Sequence, residues 1–584
     1  MGRRTWIAGV VAAALMTTAW GQGGAEARVA VIDLGGAIEE AFDDPFAGLL
    51  GEAPETLGDL LDRLDEAAAD ETLRACVLRV RTPVTGAFST LSELREAVAR
   101  LRASGKPVHA YLEDGSLGTY LVASACDTVT LAPEVDLWVC GLSSEMMHFR
   151  DLLDWLGIAF EVEKSGDYKG AGEPFTEREA TPAYRESIQA LLEDLFGQVA
   201  EAVARGRRLE VADARTRLGD GPYSSEDAMK ASLADAVGYE DAFWRTLKET
   251  LGGTLAVEEG YALPEEEQPD LSSLAGCMAF MTRMMAPGEG IAPGTERIVV
   301  LRMSGPIISE AVEDPFGGGS AITPGEFLPI LREMRADDSV KAVVVRIDSP
   351  GGGVLPSDLI WHELERLSEK KPVIASMGPV AASGGYYLAT GCDAIVAQSA
   401  TITGSIGVIA MRPNFASLYD KVGIGVTHVE VGGHATWFRS DEAMSDSERA
   451  YWQGMVGQSY EGFLAKVAAA RGATRDAIHA HAQGRVWTGR QALERGLVDR
   501  LGGLDDAIDL ACERAGIPED REIPIELLPA PRTLADILSG VEGRAGNGPW
   551  QMLPRGARRA LRDASRVCRE RGALAWLPAA PVVR

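Results

Sequence analysis

The fold is set by residues 372–387, which read PVIASMGPVAASGGYY. The first part of this stretch, Pro372–Met377, is a short apolar run suited to a buried strand. Small residues then surround Ser383, and the glycines that follow it let a substrate backbone come close. If a helix begins there, its free N–H groups point to where an oxyanion would form. By itself, the pattern is equally consistent with a structural strand-to-helix turn.

A second strand and turn lie immediately upstream. Val340–Asp348 is a nearly continuous apolar run that leads into the Pro-Gly-Gly-Gly turn at 350–353. Ser357–Glu369 then shows the spacing of an amphipathic helix. A glycine turn after one strand and a serine turn after the next can direct two backbone N–H groups at one carbonyl oxygen. The pair of turns therefore predicts an oxyanion site beside a serine nucleophile.

This order of motifs resembles the nucleophile region of the signal peptide peptidase A family, in the Clp protease/crotonase superfamily. The matching stretches are Asp348–Gly353, Ala381–Tyr386 and Thr403–Gly407. The resemblance implies that Ser383 is the nucleophile and that the backbone N–H groups of Gly384 and Gly351 are the oxyanion donors.

The general base is expected to be a lysine. None of the histidines sits in a recognisable Ser-His-Asp motif: His109, His148, His362, His428, His434, His479 and His481. A Ser-Lys dyad needs only a lysine whose burial disfavours the ammonium form. Residues 165–175, SGDYKGAGEPF, resemble the lysine motif of the family and place Lys169 among small residues. The resemblance further implies that the Ser405 hydroxyl holds the Lys169 amine.

The sequence also contains an internal repeat. Corresponding stretches keep their order along the chain: Arg28–Gly36 with Arg297–Gly305, Asp44–Phe46 with Asp314–Phe316, Lys106–Val108 with Lys371–Val373, Tyr120–Asp127 with Tyr386–Asp393, and Gly221–Gly238 with Gly484–Gly502. Strand-like and helix-like segments alternate in both copies, so each copy predicts one α/β domain.

Neither copy carries a complete set of site residues. The first copy has apolar residues at three site positions: Leu117 for Ser383, Val84 for Gly351, and Val139 for Ser405. In the second copy, Ala435 takes the place of Lys169. The simplest interpretation is one active site, with the serine from the second copy and the lysine from the first.

Composition excludes several classes of partner. The 584 residues are 46% hydrophobic and 24% charged, which is enough for two cores. The formal net charge of −29 argues against a nucleic-acid partner. Seven cysteines without a close pair argue against metal ligation and a dense disulfide framework. No metal and no cofactor are expected.

Five segments are predicted: 1–27, a signal peptide or N-terminal membrane anchor; 28–260, the first crotonase-like repeat with Lys169; 261–294, a linker; 295–527, the second crotonase-like repeat with Ser383; and 528–584, an extra arginine-rich helical tail. The leader combines Arg3 and Arg4 with the uncharged run Trp6–Trp20 and places the body outside the cytoplasm. The basic stretch Arg555–Arg571 could contact anionic lipid or the acidic body, or form a solvated helix.

The resemblance implies a membrane-associated serine endopeptidase that degrades cleaved signal peptides and similar short apolar peptides. It also implies a location at the cell inner membrane, on the periplasmic side, and a homo-oligomer, for example a tetramer. Two alternatives stay open. A crotonase-type acyl-CoA enzyme would use the same N–H donors on a thioester without Ser383 or Lys169, and a catalytically silent scaffold would share only the fold.

Overall fold

The structure, a computed structural model, describes most of the two predicted repeats. The described residues are 26–40, 55–263, 291–292, 294–310, 321–518, 520–529 and 574–576. The predicted leader 1–27, linker 261–294 and tail 528–584 lie outside this part of the chain, apart from the few residues that the ranges include.

The strands of the described residues, in chain order, are β1 (Ala27–Ala37), β2 (Leu73–Thr85), β3 (Val108–Leu112), β4 (Thr128–Leu131), β5 (Ala159–Ser165), β6 (Ala236–Val237), β7 (Leu255–Glu258), β8 (Arg297–Ser304), β9 (Val340–Ser349), β10 (Gly351–Gly353), β11 (Val373–Ala382), β12 (Ala394–Ala397), β13 (Ile402–Gly404), β14 (Val408–Asn414), β15 (Val486–Thr488), β16 (Arg500–Leu501), β17 (Ile525–Leu528) and β18 (Leu574–Trp576).

The helices of the same residues are α1 (Leu57–Ala69), α2 (Phe88–Ala103), α3 (Leu117–Ala123), α4 (Arg150–Leu156), α5 (Glu173–Thr176), α6 (Pro182–Arg207), α7 (Val211–Asp220), α8 (Ser225–Lys230), α9 (Glu240–Leu251), α10 (Pro324–Ala336), α11 (Val354–Ser368), α12 (Gly384–Ala389), α13 (Ala416–Val422), α14 (Asp446–Ala470), α15 (Arg475–His481), α16 (Gly489–Glu494) and α17 (Leu504–Arg514). A single 3₁₀ turn, Gly170–Gly172, precedes α5.

The described residues form two compact units. Unit 1 holds the chain up to Ser143 and again from Asp194 to residue 263, whereas unit 2 holds Ser144–Glu193 and the described residues from 291 onward, β18 included. The units therefore differ from the two repeats of the sequence. Residues 144–193 belong to the first repeat by chain order and to unit 2 by packing.

Each unit is built on a parallel sheet, and the two sheets share one strand order. Among the described residues, unit 1 has β7-β1-β2-β3-β4-β6, and unit 2 has β17-β8-β9-β11-β12-β16. The strands are apolar on both faces, as parallel strands covered by helices must be. On β8, for example, Val299 and Leu301 pack into one core cluster while Ile298 and Val300 pack into another.

The same hydrogen bonds fix equivalent helices in both units. The Tyr120 hydroxyl donates to the Leu233 carbonyl at 2.9 Å, and the Tyr386 hydroxyl donates to the Leu497 carbonyl at 2.8 Å. Further along each chain segment an arginine pairs with an aspartate: Arg207 with Asp235 at 2.7 Å and Arg471 with Asp499 at 2.6 Å. The internal repeat read from the sequence is thus a repeat of structure.

Unit 2 also carries a small antiparallel sheet that unit 1 lacks among its described residues. Its order is β10-β18-β14-β5. Strand β14 pairs along its whole length with β5, from Val408 opposite Ser165 to Asn414 opposite Ala159. Because β5 comes from residues 144–193, this pairing explains why that segment packs in unit 2.

Two features bear on the predicted ends of the chain. The tail was predicted to be helical, whereas its described part is the strand β18. No helix in the described part of the chain is long and apolar enough to cross a membrane.

Candidate active site

The nucleophile turn follows β11, a central strand of the parallel sheet in unit 2. Strand β11 ends at Ala382, helix α12 begins at Gly384, and Ser383 lies between them with φ +56° and ψ −114°. Non-glycine residues seldom adopt such a conformation, and it persists only where the surroundings enforce it. The Ser383 amide is held by the Gly404 carbonyl of β13 at 2.8 Å. The turn therefore fixes the Ser383 side chain in one strained position.

The register of β5 and β14 delivers the lysine. Ser165 at the end of β5 lies opposite Val408 at the start of β14. Lys169 follows Ser165 by four residues and Ser405 precedes Val408 by three, so the two loops extend from the same end of the pair. Gly484 packs directly against the lysine backbone, since a Cβ at Gly484 would lie 2.6 Å from the Lys169 Cβ. Only a glycine fits there.

Three side chains meet at this point. The Lys169 Nζ lies 2.7 Å from the Ser383 Oγ and 3.0 Å from both the Oγ and the carbonyl oxygen of Ser405. All three residues are buried, with Ser383 at 0% and Lys169 and Ser405 at 1% exposure. Ser405, like Ser383, has a positive φ, +50°. The amine is thus held between two serines that both have constrained backbones.

Burial sets the electrostatics of the amine. It lowers the pKa of Lys169 well below the usual lysine value, and desolvation is the sole cause. Among the described residues, no carboxylate lies within ion-pair distance of Lys169. Glu173 instead accepts hydrogen bonds from Thr181 and lies 3.8 Å from Lys164. The site therefore favours a neutral amine, which can accept a proton.

The oxyanion donors differ in part from the sequence prediction. The Gly351 N–H, predicted as a donor, is bonded to the Ser349 Oγ at 3.1 Å. The Gly351 carbonyl and the Gly353 N–H both bond Ile307, so the Gly352 N–H between them points to the opposite edge. A Cβ at Gly384 would lie 3.0 Å from the Gly352 nitrogen, which places this amide beside the predicted Gly384 donor.

Other parts of the site were missed by the sequence reasoning. Gly352 was hidden in a run of three glycines, which does not show which amide is free. A buried set of charges also fastens β5 to β14. Arg412 lies 2.7 Å from Glu161 and 3.2 Å from Glu448, and all three side chains are at most 11% exposed. The alternation of Glu161 and Glu163 along β5 was the available signal for a strand with one polar face.

No described histidine bonds Ser383. His428 pairs with Asp441 at 2.6 Å, as two members of a triad would, but Ser383 has a different partner. His479 bonds the Tyr460 hydroxyl at 2.9 Å. Nor do the described residues contain a group of three His, Cys, Asp or Glu side chains placed to hold a metal ion.

In the first repeat the corresponding positions are filled by apolar side chains. Leu117 is 4%, Val84 1% and Val139 0% exposed. The Val84 carbonyl oxygen would lie 2.2 Å from a Cβ at Gly118, which follows Leu117 as Gly384 follows Ser383. Unit 1 thus keeps the close contact between the two turns. Its helix α3 begins at Leu117 itself, without the positive φ of Ser383, and unit 1 has no hydroxyl at the position of the nucleophile.

A strained serine bonded to a buried, desolvated amine beside glycine amides is the arrangement of a serine hydrolase. Two segments of the chain, residues 100–253 and 365–517, match the sequence model of peptidase family S49. One segment falls in each repeat, and the shared strand order agrees with them. The prediction of two tandem α/β repeats is confirmed.

Individual relatives agree with the family match. The chain is 32% identical over 489 residues to the chloroplastic serine protease SPPA of Arabidopsis thaliana, covering 83% of this chain and 70% of that protein. It is 29% identical over 478 residues to Protease 4 of Haemophilus influenzae, covering 80% and 75%. It is 33% identical over 215 residues to a putative signal peptide peptidase SppA of Enterococcus faecium, covering 37% and 62%. The chain belongs to peptidase family S49 and is a serine peptidase.

Proposed function

We propose that the chain is an endopeptidase with a Ser-Lys dyad that degrades cleaved signal peptides and similar short apolar peptides. The observation that carries the proposal is the 2.7 Å contact between the Lys169 Nζ and the Ser383 Oγ, made inside a site without a counter-charge among the described residues. A neutral amine at hydrogen-bond distance from a hydroxyl is what general-base activation of a serine requires.

The reaction follows from this arrangement. The Lys169 amine takes the Ser383 proton as the Oγ attacks the scissile carbonyl, whose oxygen becomes negative and accepts hydrogen bonds from the Gly384 and Gly352 N–H groups. The resulting ammonium then gives its proton to the departing amine of the cleaved bond. A water molecule, deprotonated by the same amine, attacks the acyl-enzyme and releases the carboxylate product.

Ser405 has a positioning role in this scheme. Its hydroxyl and its carbonyl oxygen each lie 3.0 Å from the Lys169 Nζ, so they direct the amine lone pair towards the Ser383 hydroxyl. They also stabilise the ammonium that forms after proton transfer, because both can accept hydrogen bonds from it. Neither carries a full charge, and the amine therefore remains a base.

The substrate class is supported by the name of the Enterococcus relative, a putative signal peptide peptidase, and by the site itself. Strand β10 lies next to the nucleophile and pairs through its backbone with β18, and this is the kind of pairing that an extended peptide makes with a sheet edge. The leader 1–27 supports membrane attachment on the periplasmic side. Exposed apolar side chains, Trp155 at 73%, Val429 at 96% and Val431 at 95%, support a homo-oligomer, for which a tetramer is the expected size.

A fluorophosphonate probe and an apolar peptide substrate test the proposal together. We expect the probe to label Ser383 in the parent chain and not in Ser383→Ala, and we expect peptide cleavage to fall in parallel. Absence of both reactions would overturn the peptidase proposal. Turnover of an acyl-CoA thioester that survives in Ser383→Ala would identify the crotonase-type alternative. A chain that is inactive in every assay would be the catalytically silent scaffold.

A further inference from the structure

Residues 483–485 form a bridging segment between the lysine loop, residues 166–169, and the loop that carries Ser405. The Gln483 carbonyl accepts a hydrogen bond from the Tyr168 N–H at 3.0 Å. The carbonyl of the last residue in the segment accepts one from the Ser405 N–H at 2.7 Å. The backbone of the bridging segment therefore holds the general base and its positioning serine at a fixed separation.

The side chain of Arg485, the last residue of the segment, adds a second connection. Its Cζ lies 4.9 Å from the centre of the Tyr168 ring and 4.6 Å from the centre of the Trp487 ring. Tyr168 belongs to the lysine loop, whereas Trp487 belongs to β15, which pairs with β13 just before Ser405. A planar guanidinium stacks well on aromatic faces. We call these two ring contacts the arginine clamp.

The two rings hold the guanidinium more firmly than its polar partners do. The Arg485 Nη1 reaches the Tyr168 hydroxyl only at 3.4 Å, and the Nε is buried without an acceptor among the described residues. The Nη1 also lies 2.9 Å from the Oε1 of Glu186 on α6, but that carboxylate side chain is 58% exposed, so water weakens the ion pair. The ring contacts are therefore the main link between the lysine loop and the sheet.

The first repeat has a glycine at the position that matches the arginine. Tyr223 of unit 1 pairs antiparallel with Leu137. Trp487 of unit 2 makes the equivalent pair with Thr403, since each partner lies two residues before the matched serine position. Two residues before these aromatic side chains stand the arginine in unit 2 and Gly221 in unit 1. The arginine thus occurs in the unit that holds the general base and not in the unit whose site positions are apolar.

We propose that Arg485 is a positioning residue that keeps the Lys169 amine at the Ser383 hydroxyl by clamping the lysine loop. This inference rests on the proposed Ser-Lys mechanism. The clamp also keeps the amine buried, because a loop that lifts away admits water to the Nζ. Water stabilises the ammonium form, so a loosened loop raises the pKa of Lys169 towards the usual lysine value.

Arg485→Met tests the clamp, and Arg495→Met is the matched control. Arg495 also lies over the Trp487 ring, at 3.8 Å, but its hydrogen bonds go to residues of its own helix α16. In Arg485→Met we expect kcat to fall by about tenfold or more with KM little changed, because the base is misplaced while the peptide site is intact. Fluorophosphonate labelling of Ser383 should slow in parallel, and the rising limb of the pH–rate profile should move to higher pH. Arg495→Met should match the parent in all of these measurements.

The aromatic partner of the arginine gives a second test. Tyr168→Ala removes the ring and should reproduce the loss of kcat and the pH shift, whereas Tyr168→Phe keeps the ring and should retain most of the rate. Because both substitutions break one contact, Tyr168→Ala combined with Arg485→Met should lose little more than either alone. Additive losses in the double variant would overturn the inference. A lower Tm in Arg485→Met with an unchanged kcat and pH profile would overturn it as well.

Hydrogen exchange separates the inference from the proposed function. In the Ser383→Ala background, Arg485→Met should speed exchange in peptides that cover residues 166–169, and Arg495→Met should not. Equal exchange in these two chains would overturn the inference. Absence of hydrolysis and labelling in the parent chain, with exchange still faster in Arg485→Met, would overturn only the proposed function.

Discussion

The two repeats hold an equivalent tyrosine in the same way and differ three residues earlier. Tyr120 and Tyr386 are both fully buried, and each donates its hydroxyl to a backbone carbonyl, of Leu233 and Leu497 respectively. Burial raises the pKa of both phenols. At the start of the same helix, however, the first repeat has buried Leu117 and the second has strained Ser383.

The difference separates what folds the domain from what performs the reaction. The tyrosine bonds and the arginine–aspartate pairs occur in both units because each parallel sheet needs its covering helices fixed. Among the described residues, unit 2 alone has the site hydroxyls of Ser383 and Ser405, the three consecutive glycines 351–353 and the sheet that contains β5 and β14. Substitution of the buried tyrosines or of the arginine–aspartate pairs should therefore change stability in either repeat. Substitution of the site residues should change activity, and only in unit 2.

The largest expected effect is on the nucleophile. Ser383→Ala should lower kcat by about 10⁴-fold or more, because it removes the attacking oxygen and leaves only binding and the oxyanion donors. Peptide cleavage and circular dichroism measure activity and fold. Ser116→Ala, which changes the serine at the start of the corresponding helix in the first repeat, is the control and should retain activity. Comparable losses of activity in Ser383→Ala and Ser116→Ala would contradict the conclusion that only the second repeat supplies the nucleophile.

Replacement of the general base, Lys169, should cause the second-largest loss of activity. Lys169→Ala, Lys169→Met and Lys169→Arg should each lower kcat by about 10³-fold or more, since none offers a neutral amine and a guanidinium keeps its proton. Lys164→Met, which changes a lysine near the end of β5, should remain active. The parent pH–rate profile should rise from neutral to mildly alkaline pH as one group deprotonates. Substantial activity in Lys169→Arg would make the lysine an electrostatic bystander.

Lys169 should also affect how the stability of the folded chain depends on pH. Burial lowers the folded-state pKa of Lys169 below its value of about 10.4 in the unfolded chain. Between these two values the unfolded chain binds a proton that the folded chain does not, so the stability of the parent rises with pH across that window. The Tm difference between Lys169→Met and the parent should therefore shrink as pH rises towards about 10.4. A difference independent of pH would mean that the amine is charged in the fold.

An intermediate effect is expected for the positioning residue. Ser405→Ala removes one of the hydrogen bonds to the Lys169 Nζ and leaves the backbone carbonyl bond at 3.0 Å. We expect kcat to fall by roughly 10–100-fold, the equivalent of one strong hydrogen bond. The rising limb of the pH profile should also shift to lower pH, because the amine loses an acceptor for its protonated form. Ser405→Thr should restore part of the rate, whereas an unshifted profile would indicate a packing role.

The smallest effect on activity should come from the scaffold. Tyr120→Phe and Tyr386→Phe each leave a buried carbonyl without its hydroxyl donor, at a cost of about 1–2 kcal/mol of unfolding free energy. Thermal or denaturant unfolding measures this cost, and kcat/KM should stay within about twofold of the parent. If Tyr386→Phe disabled catalysis while Tyr120→Phe did not disturb stability, the two tyrosines would have different roles.

Much of the second repeat could be read from the sequence. The apolar run Val340–Asp348 falls in β9, and all of the run Pro372–Met377 except its first residue falls in β11, because parallel strands buried on both faces are continuously apolar. Ser383, Lys169 and Ser405 were identified by family motifs, and the structure brings them together. Their catalytic roles remain predictions.

The features that the sequence did not show depend on contacts between segments that are far apart in the chain. The Gly351 amide is occupied by Ser349, and only the bridge to Ile307 reveals that the Gly352 N–H points away from Ile307. Strand β5 joins unit 2 because it pairs with β14, and the residue pattern of one strand does not name its partner. Strand β18 was predicted as part of a helical tail, since three apolar residues have no periodicity until a neighbouring edge is present.

The separation of the dyad along the chain has a consequence for synthesis. Lys169 and Ser383 are 214 residues apart, and β5 cannot find its partner until β14 has been made. A nascent chain therefore carries a lysine without a serine for a long stretch of elongation, and the slow, non-local pairing of β5 with β14 assembles both at once. The chain is thus inert at least until β14 has been synthesised, and proteolytic competence begins only once β5 has paired with β14.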